Sequence, residues 1–209
     1  SRGSTGARPV TSCASPASSA TLSAMDETPL ADPRSARWLP AGTFAGEVAL
    51  VTGGGTGLGL EISRGLAHLG ATVVIASRSA EHHAPLLDEA RARGWKCFAH
   101  TFDVREPQLV RELATKVLAE HGHVDILVNN AAGNFVCPTE RLSANAWRAV
   151  LGIALDGTFY CSQAFGKAML ARGRGQILNV VATYAWTGMP GVAHSASAKA
   201  GVLALTKTL

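Results

Sequence analysis

Short runs of β-branched and aliphatic residues alternate with longer segments of helical periodicity from Gly46 to the end of the 209-residue chain. This alternation is typical of βαβ units, in which helices join parallel strands and cover the sheet. It predicts a doubly wound α/β fold that binds ligands at the carboxyl ends of its parallel strands. The predicted strands are 48–52, 72–76, 96–101, 126–128 and 176–181, and the predicted helices are 58–69, 84–93, 106–121, 144–171 and one opening near Ser195.

Composition excludes several other classes of protein. Hydrophobic residues make up 47% of the chain and charged residues 16%, so the chain can bury a core. The formal charge of +4 comes from scattered residues, and we predict no nucleic-acid partner. The apolar runs, such as 71–76 and 150–155, fall far short of the roughly 20 residues that span a bilayer, and we predict no membrane segment.

The cysteines and histidines favour a reduced protein without a metal site. The four cysteines are widely spaced and none forms a C-x-x-C pair, so no disulfide scaffold is expected. The histidine pairs at 82 and 83 and at 121 and 123 lack the spacing of a helical metal motif, and we predict no metal ligand.

The first 45 residues differ from the rest. Residues 1–24 are rich in Ser, Ala, Thr, Gly and Pro, contain no acid, and predict a disordered leader. This composition is compatible with an organelle transit peptide, or with extraneous sequence ahead of a start at Met25. Residues 25–45 contain three prolines and predict a loop segment on the surface of the domain formed by residues 46–209.

A glycine-rich loop joins the first predicted strand to the first predicted helix. Its sequence, T-G-G-G-T-G-L-G from Thr52 to Gly59, lets the backbone turn sharply and approach a pyrophosphate, which the helix N-terminus would attract. Glycine-rich turns also arise for purely steric reasons, but the strand before and helix after favour dinucleotide binding. The candidate cofactor residues here are Thr52, Gly53, Thr56, Gly57, Leu58 and Gly59.

The end of the second predicted strand indicates which dinucleotide is bound. An acid about 20 residues after the glycine loop would hydrogen-bond an adenosine 2'-hydroxyl, but the sequence here is Ser77-Arg78-Ser79. A guanidinium can pair with a 2'-phosphate instead, so Arg78 predicts NADPH as cofactor. The alternative is that Arg78 is an ordinary exposed arginine.

Residues 46–209 resemble the short-chain dehydrogenase/reductase family. The resemblance is carried by residues 52–59, Asp103-Val104, 129–133 and 195–201. It implies a Rossmann-like NADP-binding domain in which Asp103 and Val104 lie at the adenine, Asn130 and Ala131 support the cofactor side of the sheet, and Lys199 binds nicotinamide ribose. Asp103 could alternatively cap the following helix.

The usual catalytic motif of the family, Tyr-x-x-x-Lys with an upstream serine, is changed in this sequence. Ser195 stands four residues before Lys199 where the tyrosine is usual, Ala182 lies near the serine position, and Ala154 replaces a helix asparagine. A serine hydroxyl is too weak an acid to replace the phenol, so ketone reduction by the common mechanism is not expected.

The residues around the changed motif resemble the 2,4-dienoyl-CoA reductase branch of the family. The resemblance is carried by residues 130–135, 138–143, 182–185 and 195–199. It implies that Tyr184, on the loop after the fifth predicted strand and fifteen residues before Lys199, is the catalytic tyrosine and that Asn134 is its partner. Ser195 would be a positioning hydroxyl, and an acyl-CoA thioester would be the substrate.

Three alternatives remain below dienoyl-CoA reduction, which would belong to unsaturated fatty acid β-oxidation. They are trans-2-enoyl-CoA reduction, another carbonyl or alcohol oxidoreduction, and NADP binding without catalysis.

The family continues through two further strands and a substrate-covering loop, so the sequence is expected to be truncated at its C-terminus. The resemblance also implies a homo-oligomer, a tetramer when complete, formed through helix 144–171. The branch works in bacterial cytoplasm, which we favour, and in mitochondria and peroxisomes.

Overall fold

The computed structural model describes residues 39–209. The predicted leader 1–24 and residues 25–38 of the predicted loop segment lie outside the described residues. Residues 41–46 form turns directly before the first strand. Within the described part of the chain, no helix is both long and apolar enough to cross a membrane.

Five parallel strands form one sheet in the described chain, in the order β3-β2-β1-β4-β5. They are β1 (Val48–Thr52), β2 (Thr72–Ser77), β3 (Cys97–Thr101), β4 (Ile126–Asn129) and β5 (Gln176–Asn179). The longer helices are α1 (Gly57–His68), α2 (Ala84–Arg93), α3 (Pro107–His121), α4 (Ala144–Leu151), α5 (Gly157–Arg172) and α7 (Ala193–Thr208), with a single-turn α6 (Tyr184–Thr187). The predicted doubly wound fold is confirmed.

The sheet separates two hydrophobic clusters. In β1 every residue is buried, and alternate side chains enter opposite clusters, Val48 and Leu50 on one face and Ala49 and Val51 on the other. A central parallel strand covered on both faces requires this continuous apolar run, because neither face meets water. The chain order reverses between β1 and β4, which opens a crevice at their carboxyl ends.

The prediction of one regular helix over residues 144–171 is wrong in detail. Between α4 and α5 the chain forms a π-helical turn, Gly152–Asp156. Directly after it, Gly157 packs so tightly on the strand-to-helix loop after β3 that a Cβ would lie 1.7 Å from Cγ2 of Val104. Hydrophobic periodicity does not register a turn that accommodates such a contact. Helical turns of this kind are frequent at functional sites.

The end of β5 and the element that contains Tyr184 also differ from the predictions. The strand predicted over 176–181 ends at Asn179, although the Val180 amide still donates to the Asn129 carbonyl at 3.0 Å. Tyr184, predicted on a loop, opens the single turn of α6 instead. This turn follows β5 closely and directs the tyrosine toward α7.

A buried carboxylate joins three elements at the end of the sheet opposite the crevice. Asp125 is 4% exposed and accepts hydrogen bonds from the Val48 amide at 2.9 Å and from the Arg172 guanidinium at 3.1 and 3.2 Å. His123 lies 3.1 Å from the same carboxylate. Burial acts to raise the pKa of Asp125, but these hydrogen bonds and charges outweigh burial and lower it.

Asp125→Asn is expected to reduce the free energy of unfolding by about 2 kcal/mol at neutral pH, because it weakens hydrogen bonds to a charged group. The folded-state pKa is lowered, so the advantage of the wild type exists above the unfolded pKa of about 3.9 and disappears as the pH falls through the folded pKa. Urea unfolding at several pH values measures this difference. Asp88→Asn, in an exposed pair with Arg91, is the control and should change stability by less than about 0.5 kcal/mol. Equal losses in both variants would contradict the prediction.

Candidate active site

The carboxyl ends of β1 and β4 are tied together by one threonine and one asparagine. The hydroxyl of Thr52 accepts hydrogen bonds from the amides of Asn130 and Ala131, both at 3.0 Å. In return, the Asn130 side-chain amide donates to the carbonyls of Thr52 at 3.0 Å and Gly53 at 3.2 Å. Four residues predicted at the cofactor are therefore brought together, and their contacts hold the crevice edges at a fixed separation.

The glycine loop is shaped by close contacts that no larger residue could make. Gly53 and Gly57 have φ values of +64° and +50°, in the left-handed region. A Cβ on Gly59 would lie 2.3 Å from the Gly53 carbonyl oxygen, so the first turn of α1 packs directly on the loop. The hydroxyl of Ser63 donates to the carbonyls of Gly54 and Gly59, which reinforces this contact. The amides at the start of α1 are thereby presented to the crevice.

A cavity of about 400 Å³ lies in this crevice. Nine of the predicted cofactor residues line it: Gly53, Thr56, Leu58, Gly59, Arg78, Asp103, Val104, Asn130 and Ala131. We call it the glycine-loop cavity. Its walls combine backbone amides, a guanidinium and apolar side chains, which suits a phosphorylated nucleoside.

One wall of the cavity is basic. Arg78 is exposed at the end of β2 and lines the cavity together with Ser79 and His82. The short helical turn that carries His82 packs on the glycine loop, because a Cβ on Gly55 would lie 2.1 Å from the His82 carbonyl oxygen. Arg78 therefore gives this wall of the cavity an exposed positive charge.

Asp103 is held by its neighbour Arg105. The Arg105 Nε lies 3.0 Å from both carboxylate oxygens and the Arg105 amide donates to one of them at 3.0 Å. The side-chain hydrogen bonds of Arg105 lower the pKa of Asp103 against the opposing effect of burial. The alternative that the Asp103 side chain caps the following helix is wrong, since it binds Arg105 and Glu106 occupies the N-cap of α3.

A second cluster lies where α6 meets the start of α7. The Tyr184 hydroxyl is 2.9 Å from the Ser195 hydroxyl, which is itself 2% exposed. Lys199 follows one turn later on the same buried face of α7 and is 5% exposed. The predicted Tyr184, Ser195 and Lys199 are thus brought into one region at the carboxyl edge of the sheet.

Lys199 is oriented by the main chain. Its ammonium donates to the Val180 carbonyl at 2.5 Å, just beyond the end of β5. Burial lowers the pKa of this lysine. Lys199 does not line the glycine-loop cavity, and its one hydrogen bond in the described chain is to this carbonyl.

The structure does not bring Asn134 into hydrogen-bonding contact with Tyr184. Asn134 is exposed on the loop after β4, and its side chain makes no hydrogen bond with the rest of residues 39–209. The loop itself is fixed close by, because the Cys137 amide donates to the Gly191 carbonyl at 2.8 Å. Asn134 therefore lies on a loop that is attached to the segment before α7, and its amide is unengaged within the described chain.

Several site residues were not predicted from the sequence. Ile153 lines the glycine-loop cavity from the π-helical turn, and Ser63 and Arg105 support cavity residues from behind. The pair of glycines that brackets the π-helical turn is a signal that could have indicated an irregular helix. The contacts of Ser63 and Arg105 depend on packing and leave no sequence signal of their own.

Comparison with known proteins identifies the family. Residues 47–209 match the family model described as short chain dehydrogenase. The chain is 40% identical to a probable 2,4-dienoyl-CoA reductase of Bacillus subtilis over 164 residues, which are 78% of this chain and 65% of the relative. The chain therefore spans less than two thirds of the length of that relative.

Two solved structures extend the comparison. A short chain dehydrogenase from Bacillus anthracis is 46% identical, with a TM-score of 0.72 over 78% of this chain and 68% of the other. A gluconate 5-dehydrogenase from Burkholderia cenocepacia, in complex with NADP and tartrate, is 38% identical, with a TM-score of 0.75 over 78% of this chain and 64% of the other. The chain belongs to the short-chain dehydrogenase/reductase family of oxidoreductases, with relatives named 2,4-dienoyl-CoA reductase.

Proposed function

We propose that the protein reduces 2,4-dienoyl-CoA thioesters to enoyl-CoA with NADPH. The observation that carries this proposal is the 2.9 Å contact between the hydroxyls of Tyr184 and Ser195, one turn ahead of the buried Lys199. In this chain the serine occupies the position usual for the tyrosine of the family, and the phenol reaches the site from α6. The relative named 2,4-dienoyl-CoA reductase supports the same substrate class.

The glycine-loop cavity fits NADPH. The left-handed backbone at Gly53 and the close packing of Gly59 on the Gly53 carbonyl bring the start of α1 to the cavity, where its free amides would bind a pyrophosphate. Arg78 would pair with the 2'-phosphate and Asp103 and Val104 would contact the adenine. When bound, NADPH supplies the hydride for the reduction.

Tyr184 is assigned to the charge that develops on the substrate. Hydride addition to the far end of the conjugated dienoyl group moves an electron pair through the double bonds onto the thioester oxygen. The Tyr184 hydroxyl would donate a hydrogen bond to this oxygen and then provide the proton taken up at the α carbon. Ser195, 2.9 Å away, would keep the phenol in place through a hydrogen bond, and the phenolate would regain its proton from solvent after the reaction.

Asn134 and Lys199 are assigned to support this step. Asn134 is exposed on the loop after β4 with an unengaged amide, and it would be the second donor to the thioester oxygen. Lys199 has one hydrogen bond to the Val180 carbonyl, which leaves two of its ammonium protons for ribose hydroxyls. Its positive charge, only weakly screened because the side chain is buried, would also favour the developing anion.

The test is NADPH oxidation by the purified full-length protein with 2,4-hexadienoyl-CoA, with a trans-2-enoyl-CoA, with a ketone panel and without acceptor. Oxidation that requires the dienoyl thioester is the expected result. Oxidation only with the monoenoyl thioester would assign trans-2-enoyl-CoA reduction instead, and activity only with ketones would assign a carbonyl reductase. Bound NADPH without turnover of any acceptor would overturn the catalytic proposal.

Arg78→Ala is expected to weaken NADPH binding by about 10- to 100-fold, because a charge-assisted hydrogen bond to the 2'-phosphate contributes about 1.5–3 kcal/mol. NADH binding should remain within about twofold of the wild type, since NADH lacks that phosphate. Titration of both cofactors by fluorescence measures the two affinities. Arg91→Ala, exposed on α2, is the control and should affect neither. Parallel losses for NADPH and NADH would assign Arg78 to a part common to both cofactors.

A further inference from the structure

A buried histidine at the start of α7 contacts the loop that carries Asn134. We propose that His194 is a positioning residue that holds the Asn134 loop against the Tyr184–Ser195 pair through the packing of its ring, without transferring a proton. The proposal rests on the proposed function for its activity measurements.

His194 is buried without the hydrogen bonds that usually accompany a buried imidazole. It is 0% exposed, and neither ring nitrogen has a hydrogen-bond partner in the described chain. Burial lowers the pKa of this histidine, and a backbone contact with Val192 opposes the shift without meeting hydrogen-bond geometry. Buried polar groups are partnered in the large majority of cases, so hydrogen bonding does not account for this side chain.

Ring packing does account for it. The His194 ring contacts the Phe135 ring edge to face, with the centroids 4.4 Å apart and the planes at 66°. Phe135 directly follows Asn134, and Ser195, bonded to Tyr184, directly follows His194. The one ring contact therefore couples the loop of the second proposed donor to the helix that orients the first.

A backbone hydrogen bond also attaches the Asn134 loop to the segment just before α7. The Cys137 amide donates to the Gly191 carbonyl at 2.8 Å, and a Cβ on Gly191 would lie 3.0 Å from Cγ1 of Val136. This hydrogen bond holds the Asn134 loop at Cys137, three residues beyond Asn134 itself. Phe135 is adjacent to Asn134 in sequence and Cys137 is three residues away, so loss of the ring contact should release Asn134 first.

The test compares His194→Phe, which keeps an aromatic ring without nitrogens, with His194→Ala, which removes the ring. Each is measured in the full-length protein for kcat with 2,4-hexadienoyl-CoA, for KM of NADPH and of the thioester, and for thermal stability. His121→Ala is the matched control, because His121 packs on Phe98 at a centroid distance of 4.8 Å, on α3 and β3 away from the tyrosine region.

We expect H194F to keep kcat within about threefold and to raise the melting temperature, because it removes unpartnered buried nitrogens. We expect H194A to lower kcat about tenfold or more with the KM for NADPH unchanged, and H121A to leave kcat unchanged. A folded H194F as inactive as H194A would overturn the proposal, since the nitrogens would then be required. An H194A with wild-type kcat would overturn it as well. If H194A does not fold, the kcat of H194F decides alone.

Amide hydrogen exchange separates this proposal from the proposed function. In the NADPH-bound protein, amides of residues 131–137 should exchange faster in H194A than in the wild type or H194F. If the wild type does not reduce the dienoyl thioester, the proposed function fails while this measurement still tests the loop contact. Unchanged exchange in H194A would show that His194 does not hold the loop.

Discussion

Tyr184→Phe is expected to lower kcat for 2,4-dienoyl-CoA reduction by at least about 10³-fold. Removing one preformed donor to a developing oxyanion costs about 10²–10³ in rate, and the loss of the general acid adds to it. NADPH affinity should remain within about twofold, because the Tyr184 ring does not line the glycine-loop cavity. Stopped-flow reduction and cofactor fluorescence measure the two effects separately.

The control for this prediction is Tyr160→Phe. Tyr160 is the other tyrosine of the chain, and it packs partly buried against a hydrophobic cluster from α5. Its loss of a hydroxyl should leave kcat within about twofold, since the ring supplies the packing. Wild-type turnover in Tyr184→Phe would remove the tyrosine from the mechanism and leave the reaction without an acid.

Gly59→Ala is expected to lower NADPH affinity by about 10²-fold and the free energy of unfolding by about 1–3 kcal/mol. The new Cβ would lie 2.3 Å from the Gly53 carbonyl oxygen and 2.4 Å from the Asn130 side-chain nitrogen, so α1 must move away from the loop. Such overpacking has this cost in stability, and the loss of a hydrogen bond from a displaced amide to the charged pyrophosphate costs about 1.5–3 kcal/mol, or up to about 10²-fold in affinity. Cofactor titration and urea unfolding measure both.

Gly65→Ala is the matched control on the same helix. Nothing outside its own stretch of helix lies within 4 Å of its would-be Cβ, so the variant should bind NADPH normally and gain about 0.5–1 kcal/mol from the lower backbone entropy of alanine. If Gly59→Ala behaved like Gly65→Ala, the helix would not pack on the loop as described.

Some site residues could be predicted from local sequence spacing, and others only from the resemblance to a branch of the family. Arg78 follows a strand at the position where a dinucleotide site selects its ribose, so its place on the cavity wall was predictable from spacing. Tyr184 was found through its distance of fifteen residues from Lys199, a resemblance to the branch rather than a local pattern. That its hydroxyl meets Ser195 was not predictable, because α6 first has to orient the ring.

Alternating hydrophobic patterns and the glycine loop were enough to predict the parallel sheet, its helices and the edge at which ligands bind. These features depend on residues close in sequence, whose periodicity and backbone preferences act locally. Other features arise from packing between segments distant in sequence. They are the packing of Gly157 on Val104 beside the π-helical turn, the hydrogen bond from Lys199 to the Val180 carbonyl and the contact between His194 and Phe135. Such contacts form only once the sheet brings those segments together, so tertiary packing determined the orientation of the site residues.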